Sequence, residues 1–203
     1  MAATELASAG PVEAEPTSPE RFADDESRWS RWMALANAGD ADAYRRLMTE
    51  LSSATEAYLV VHFGRSEILE DCVQEVLLSV HRARSTYNPA RPFRPWFFTI
   101  VRNKMLDQLR RGRVRRRETA DSDHLADLAD DTRVDPGDAI DGRSILSRLE
   151  TKQREALLLT KFAGYSMEEA GAAAGVSRTA MKTRVHRALR SARKVLERER
   201  VPE

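Results

Sequence analysis

Near the C-terminus, Arg178, Thr179, Lys182, Thr183, His186, Arg187 and Arg190 recur at helical spacing and contain four fixed cations and no acid. A helix with such a face offers guanidinium, ammonium and hydroxyl groups to a polyanion. Residues near its start can reach base edges in a major groove, and the later ones phosphates. A second basic stretch, Arg91 to Arg111, interleaves Arg91, Arg94, Arg102, Asn103, Lys104, Arg110 and Arg111 with Trp96, Phe97, Ile100, Val101, Met105 and Leu109. One side of it can be buried and the other laid on a phosphate backbone, and its aromatics suit stacking on unpaired bases. Either stretch alone is also satisfied by a solvated basic face in a helical bundle. None of the four histidines has a partner at metal-ligand spacing, and no nucleophile–base pair or phosphate-binding glycine loop occurs. No catalysis, metal or cofactor is expected.

The elements that position these residues are all helical, and no period-two strand pattern is present. The N-terminal stretch 1–27, rich in Ala, Glu, Pro and Ser, is expected to be disordered. A first helix is predicted from about Arg28 to Ala38, ended by Gly39, and a second from about Asp42 to Phe63, stopped by Gly64. A third runs from about Glu67 to Arg84, capped by Ser66. Its inward side is Leu69, Cys72, Val73, Val76, Leu77 and Val80, and its outward side Glu70, Asp71, Gln74 and Glu75. After a loop broken by Pro89, Pro92 and Pro95, a fourth helix begins at Trp96 or Phe97 and ends near Arg111.

Residues 113–142 form an Asp-rich, Pro/Gly-punctuated linker, expected to be a flexible tether. Helices resume near Arg143, with Thr151 expected to cap one of them. The most specific pattern is GYSMEEAGAAAGVSRTAMKTR at residues 164–184. Ser166 and Glu169 form a capping box, Gly175 permits a tight turn, Val176 plugs the angle and Ser177 caps the next helix. That is a helix-turn-helix, with Met181, Val185, Ala188, Leu189, Ala192, Val195 and Leu196 as the inner stripe.

Charge is segregated behind a net of +1. Residues 1–28 carry −5, residues 91–117 carry +9, residues 118–141 carry −8 and residues 178–200 carry +7. Two basic blocks about an acidic spacer suggest two contacts with one polyanion. The single cysteine, Cys72, excludes a disulfide framework and reads as a small core residue. No apolar run is long enough to span a membrane and no signal peptide is visible, so a cytoplasmic protein is expected.

These motifs, in this order, resemble the bacterial RNA polymerase sigma factors, and best the extracytoplasmic-function (ECF) group of the sigma-70 family. EDCVQEVLLSV at residues 70–80 is similar to region 2.2, WFFTIVRNKMLDQLRR at 96–111 to regions 2.3 and 2.4, and residues 153–189 to region 4. The resemblance implies an all-α fold of two small helical domains, a region 2 bundle at 28–112 and a region 4 helix-turn-helix at 143–203, joined by the acidic linker. It implies that Glu70, Asp71, Gln74 and Glu75 dock on the β′ coiled coil of core RNA polymerase, and that region 4 meets the β flap. Tyr87, Asn88, Arg91, Arg94 and Asn103 would capture a base flipped from the −10 element, with Lys104, Arg110 and Arg111 on phosphates. Ser177, Arg178, Thr179, Lys182, Thr183, His186 and Arg187 would lie against the −35 element. Promoter DNA is then one partner, and an inhibitory anti-sigma factor, typically membrane-anchored, another. The chain itself would be a monomer when free, acting on stress-response genes. Two other readings are an ordinary helix-turn-helix regulator acting without polymerase, and a sigma-like adaptor that only sequesters an anti-sigma factor. The first has no need of the acidic face, and the basic residues argue against the second.

Overall fold

The computed structural model describes residues 18–63, 68–119 and 142–199, and every regular element among them is helical. Four helices make an N-terminal block: α1 Ser18–Asn37, α2 Ala41–Phe63, α3 Ile68–Ala83 and α4 Phe93–Thr119. A single 3-10 turn, Arg84–Thr86, follows α3. Gly39 ends the α1 connection at a φ of 99°, open to glycine at little cost. Asp40 then caps α2 by accepting from the backbone N–H groups of Asp42 and Ala43 at 2.9 Å. Leu47, Leu51, Tyr58 and Leu59 recur on one face of α2 and are buried against Cys72, Val76 and Val80 of α3 and Phe97, Phe98 and Val101 of α4.

Three boundaries differ from expectation. Helix α1 starts at Ser18, ten residues ahead of Arg28, so part of the stretch expected to be disordered is helix. Its acids are not simply solvated: Asp25 and Glu26 meet cations and backbone donors of later elements. Helix α4 starts at Phe93 rather than Trp96, because Pro95 falls in its first turn, where a missing N–H costs nothing. It also runs on to Thr119, since Gly112 inside a helix costs only about 1 kcal/mol and the arginines beyond it are good helix formers. Residues 1–17, the expected Ser66 cap and most of the acidic linker lie outside the described residues.

The C-terminal block contains α5 Gly142–Ser147, α6 Thr151–Leu157, α7 Met167–Ala173 and α8 Arg178–Glu199. Thr151 is the first helical residue of α6 rather than its cap; Glu150 holds the cap position without a side-chain bond. Helix α6 passes into a π turn, Leu158–Phe162, marked by the bond from Ala163 N–H to Leu158 O at 2.8 Å. The widened turn splits three consecutive leucines between two cores. Leu157 and Leu159 pack with Ala170, Met181, Val185 and Ala188, whereas Leu158 enters the core of the N-terminal block. The expected inner residue Leu189 is instead 40% exposed.

Candidate polymerase and nucleic-acid interfaces

On α3, the inward residues Leu69, Cys72, Val76 and Val80 leave Glu70, Asp71 and Gln74 exposed on the opposite side. Glu75 is different. It is only partly exposed, its Oε1 accepts from Arg111 Nη1 of α4 at 2.8 Å, and its Oε2 is enclosed. The open acidic face is therefore Glu70, Asp71 and Gln74, with Glu75 turned onto the neighbouring helix. Cys72 behind this face is fully buried; burial, with Glu75 adding to it, pushes its thiol up to about 11.

Residues 87–92 join the 3-10 turn to α4. Asn88 Oδ1 accepts from Ala90 N–H, and Asn88 O accepts from Arg91 N–H, both at 2.9 Å, which folds the loop into a turn. Asn88 and Arg91 are exposed on it. Tyr87 is not: it is 6% exposed and its ring lies against Phe93 and Trp96 at 5.0 and 5.3 Å. Its hydroxyl donates to Arg91 O at 3.0 Å. Tyr87 therefore belongs to the core beneath the loop and presents no ring face to a base. Further along α4, Asn103 and Arg110 are exposed and Lys104 is partly so, while Arg110 pairs with Asp107 at 3.0 Å.

Arg94 also departs from expectation. It is 4% exposed, and its guanidinium donates to Phe162 O, with the Nε contact at 3.1 Å, and lies 3.5 Å from Asp25 Oδ2. It stands over the rings of Trp29, Phe98 and Phe162 at 5.0, 5.3 and 5.6 Å. Burial pulls its pKa down, opposed by the carboxylates of Asp25 and Glu26. In this arrangement Arg94 joins the two blocks and meets no open surface.

The junction it belongs to is extensive. Phe162 packs on Tyr58 and Phe98 at 6.0 and 5.3 Å, and Leu158 and Ala163 are buried beside them. Arg102 Nη2 donates to Ala173 O at 2.6 Å, at the end of α7, and lies 3.2 Å from Glu155. Arg154, 8% exposed, donates to Val61 O at 3.1 Å from across the junction. Thr99 and Tyr165 share a hydroxyl–hydroxyl bond of 2.7 Å. His62 sits here with its ring against Tyr58 at 5.0 Å and its Nε2 enclosed. Burial first, then the charges of Arg154 and Arg102, lower its pKa to about 4.

The helix-turn-helix has the expected chemistry. Ser166 Oγ accepts from Glu169 N–H at 3.2 Å while Glu169 Oε2 accepts from Ser166 N–H at 2.9 Å. Gly175 turns the chain at a φ of 66°, and Ser177 Oγ accepts from Ala180 N–H at the start of α8. Gly171 lets α7 approach that turn, since a Cβ there would lie 2.8 Å from Val176 O. Met181, Val185 and Ala188 face the core, which leaves Ser177, Arg178, Thr179, Lys182, Thr183, His186 and Arg187 together on one exposed face of α8. Thr183 Oγ1 is folded back on Thr179 O at 3.1 Å.

Sequence reasoning missed Glu26, Ser30 and Arg154, and placed Arg102 on the open basic side of α4 rather than at the junction. A signal existed for the first two: Glu26 and Ser30 share the helical face of the buried Trp29 and Met33, at i, i+3, i+4 and i+7 spacing. Among the described residues no helix is long and apolar enough to cross a membrane.

Two protein families match separate stretches of the chain. The sigma-70 region 2 family matches residues 43–116 and the sigma-70 region 4 family residues 143–191. The chain is 38% identical over 169 residues to the ECF RNA polymerase sigma factor SigF of Caulobacter vibrioides, a match covering 83% of this chain and 93% of that one. It is 33% identical to the RNA polymerase sigma factor CarQ of Myxococcus xanthus, over 78% of this chain and 91% of CarQ. Among solved structures, it resembles CnrH in complex with the cytosolic domain of CnrY, with a TM-score of 0.52 and 30% identity over 84% of this chain and 97% of CnrH. The sigma factor RpoE of Bartonella quintana, in complex with the anti-sigma factor NepR, gives a TM-score of 0.54 and 25% identity over 76% and 96%.

Proposed function

This chain belongs to the ECF sigma factors of the sigma-70 family, and on that premise we propose how its surfaces divide the work of starting transcription. It binds core RNA polymerase, recognises a two-element promoter and promotes melting of the DNA, under control of an anti-sigma factor. It acts in the cytoplasm as a specificity factor and makes or breaks no covalent bond. The observation that carries this is the pairing, in one chain, of an exposed acidic face on α3 with an exposed basic face on the second helix of a helix-turn-helix.

In this reading Glu70, Asp71 and Gln74 dock on the β′ coiled coil, and the C-terminal block meets the β flap. Lys182, Thr183 and Arg187 read the −35 duplex, with Ser177, Arg178, Thr179 and His186 around them. Asn88, Arg91 and Asn103 receive a base extruded from the −10 element, while Lys104, Arg110 and Arg111 hold phosphates. A pocket for an extruded base needs amide and backbone hydrogen bonds and a stacking surface. Here that surface is the loop rim rather than Tyr87. The two blocks act as separate units on the promoter, so the junction opens when DNA is engaged. Opening releases Arg102 from Ala173 O and Glu155, adding a cation to the −10 surface, whereas Arg94 loses Phe162 O and keeps Asp25, Trp29 and Phe98 of its own block.

Run-off transcription with purified core polymerase tests the reading. A transcript starting at a defined site downstream of two elements is expected. If the chain shifts promoter duplex equally well with and without core polymerase and supports no specific transcript, it is a regulator of the ordinary kind.

A further inference from the structure

We propose that α1 belongs to the promoter-opening site: Glu26 and Ser30, one turn apart on it, hold the loop 87–92 in the shape that receives a base, with Tyr87 as the positioning residue between them. This rests on the reading of that loop as the place where the −10 base is captured.

The geometry is a two-ended clamp. At the start of the loop, Tyr87 donates its hydroxyl proton to Arg91 O at 3.0 Å. The 2.8 Å contact between Tyr87 and Ser30 hydroxyls must then use the Ser30 proton, since a phenol has only one to give. The chain Ser30 to Tyr87 to Arg91 thus fixes the far side of the turn from beneath. At the end of the loop, the two oxygens of Glu26 accept separately from Phe93 N–H and from Arg94 N–H, the latter at 2.9 Å. Proline at 92 has no side chain able to cap α4, so Glu26 supplies from another helix the acceptor that a local Ser or Asp would supply. The Tyr87 and Phe93 rings, 5.0 Å apart, close the clamp between its two ends. The backbone of residues 88–91 is therefore set from α1, while Asn88 and Arg91 remain exposed on top. A loop held this way loses little freedom when a base arrives, so its selectivity depends on groups that never touch the DNA.

The test uses holoenzyme made from the full chain and core polymerase. Its probe is a single-stranded oligonucleotide carrying the non-template −10 stretch of a promoter it transcribes, intact or with an abasic site scanned along it. Wild type should prefer the intact strand at one position. If it shows no such position, the capture reading itself fails. Given that preference, Tyr87→Phe, which keeps the ring, and Ser30→Ala should each reduce the ratio of intact to abasic affinity by about fivefold. Affinity for −35 duplex and the melting temperature should stay near wild type. Ser30→Thr, which retains the donor, should restore the ratio. Glu26→Ala should lower the ratio further, and Glu26→Gln less so, because one carbonyl oxygen remains to accept. Equal loss on intact and abasic strands would reduce the clamp to general packing. An unchanged ratio in Tyr87→Phe and Ser30→Ala would overturn the proposal outright.

Discussion

Arg111 Nη1 lies 2.8 Å from Glu75 Oε1, so the basic face of α4 is tied to the acidic face of α3. Glu75, which the family resemblance places on the docking face, is instead held by the Arg111 that the −10 reading places on phosphate. Asp71, exposed and with no part in that ion pair, is the cleaner probe of docking. Asp71→Lys should raise the dissociation constant for core polymerase about tenfold, equivalent to about 1.4 kcal/mol, with an unchanged circular dichroism spectrum. Glu75→Lys should weaken docking too, but also lower the melting temperature, because it places a second cation against Arg111. Equal melting temperatures for the two variants would show that the pair contributes nothing to the fold.

The exposed face of α8 should separate base reading from phosphate binding. Lys182→Ala and Arg187→Ala should weaken −35 duplex binding by about 1 to 3 kcal/mol wherever the side chain grips a base, and relax preference at one position. Where it meets phosphate alone, the loss should be the same on every sequence and the salt dependence shallower by about one ion. Titrations on matched and scrambled duplexes at several salt concentrations distinguish these outcomes.

The junction between the blocks should yield to small changes. Arg102→Ala removes a charge-assisted bond to Ala173 O, about 1.5 to 3 kcal/mol. Phe162→Ala removes the ring between Tyr58 and Phe98. Dyes placed on α3 and α8 should move apart in both variants, as read by single-molecule energy transfer in the free chain. An unchanged distance would mean that Leu158, Ala163 and Arg154 hold the junction without them.

Those dyes can be attached to introduced cysteines, because Cys72 should not compete. Buried, with its thiol pushed up to about 11, it has almost no thiolate at neutral pH. Maleimide should label the native wild-type chain slowly and the denatured chain at once. Fast labelling of native protein would show that α3 opens readily.

His62 gives the junction a pH dependence of known sign. Its pKa of about 4 in the folded chain lies below the ordinary value of 6.5, so above about pH 6.5 it is neutral whether folded or not. Between about 6.5 and 4 the unfolded chain takes up a proton that the folded chain refuses, and stability falls with falling pH. The guanidinium groups of Arg154 and Arg102 repel the charge it would gain, and its ring lies against Tyr58. Melting temperatures taken between about pH 7 and pH 5 should drop more steeply in wild type than in His62→Gln. Parallel curves would remove His62 from the balance.

What the sequence made visible divides by distance along the chain. The helix-turn-helix was legible almost residue by residue, because Ser166 with Glu169, Gly175, and Ser177 with Ala180 each act within a few positions. The roles of Tyr87 and Arg94 were not. Their types suit a DNA surface. Tyr87 is covered by the nearby Phe93 and Trp96 and tied to Ser30, and Arg94 is held by Asp25 and Phe162; Ser30, Asp25 and Phe162 lie at least 57 residues away in sequence, where no local period can announce them. Pro95 misleads in a different way. It sits in the first turn of α4, where proline is tolerated, whereas Pro92 does stay in the loop just ahead of the helix. Glu26 was hidden by composition, since the acidic, Pro-rich stretch around it suggested solvent, and Ser30, inside the first predicted helix, by the 57 residues that separate it from Tyr87.

The continuation of α4 to Thr119 has a consequence for promoter architecture. With the helix ended at Arg111, some 30 residues would link the two readers, enough to stretch roughly 100 Å. Residues 120–141 number 22, and even drawn out straight they reach only roughly 75 Å. The eight residues gained by the helix return about 12 Å, but as a stiff arm whose direction is fixed by the N-terminal block. Covalent length therefore limits how far Thr119 and Gly142, the ends of the two blocks, can stand apart to roughly 75 Å, the length of about 22 base pairs of duplex at about 3.4 Å each. On the proposed division of the surfaces, that tether and the span of the two blocks together set the widest promoter gap the free ends can bridge.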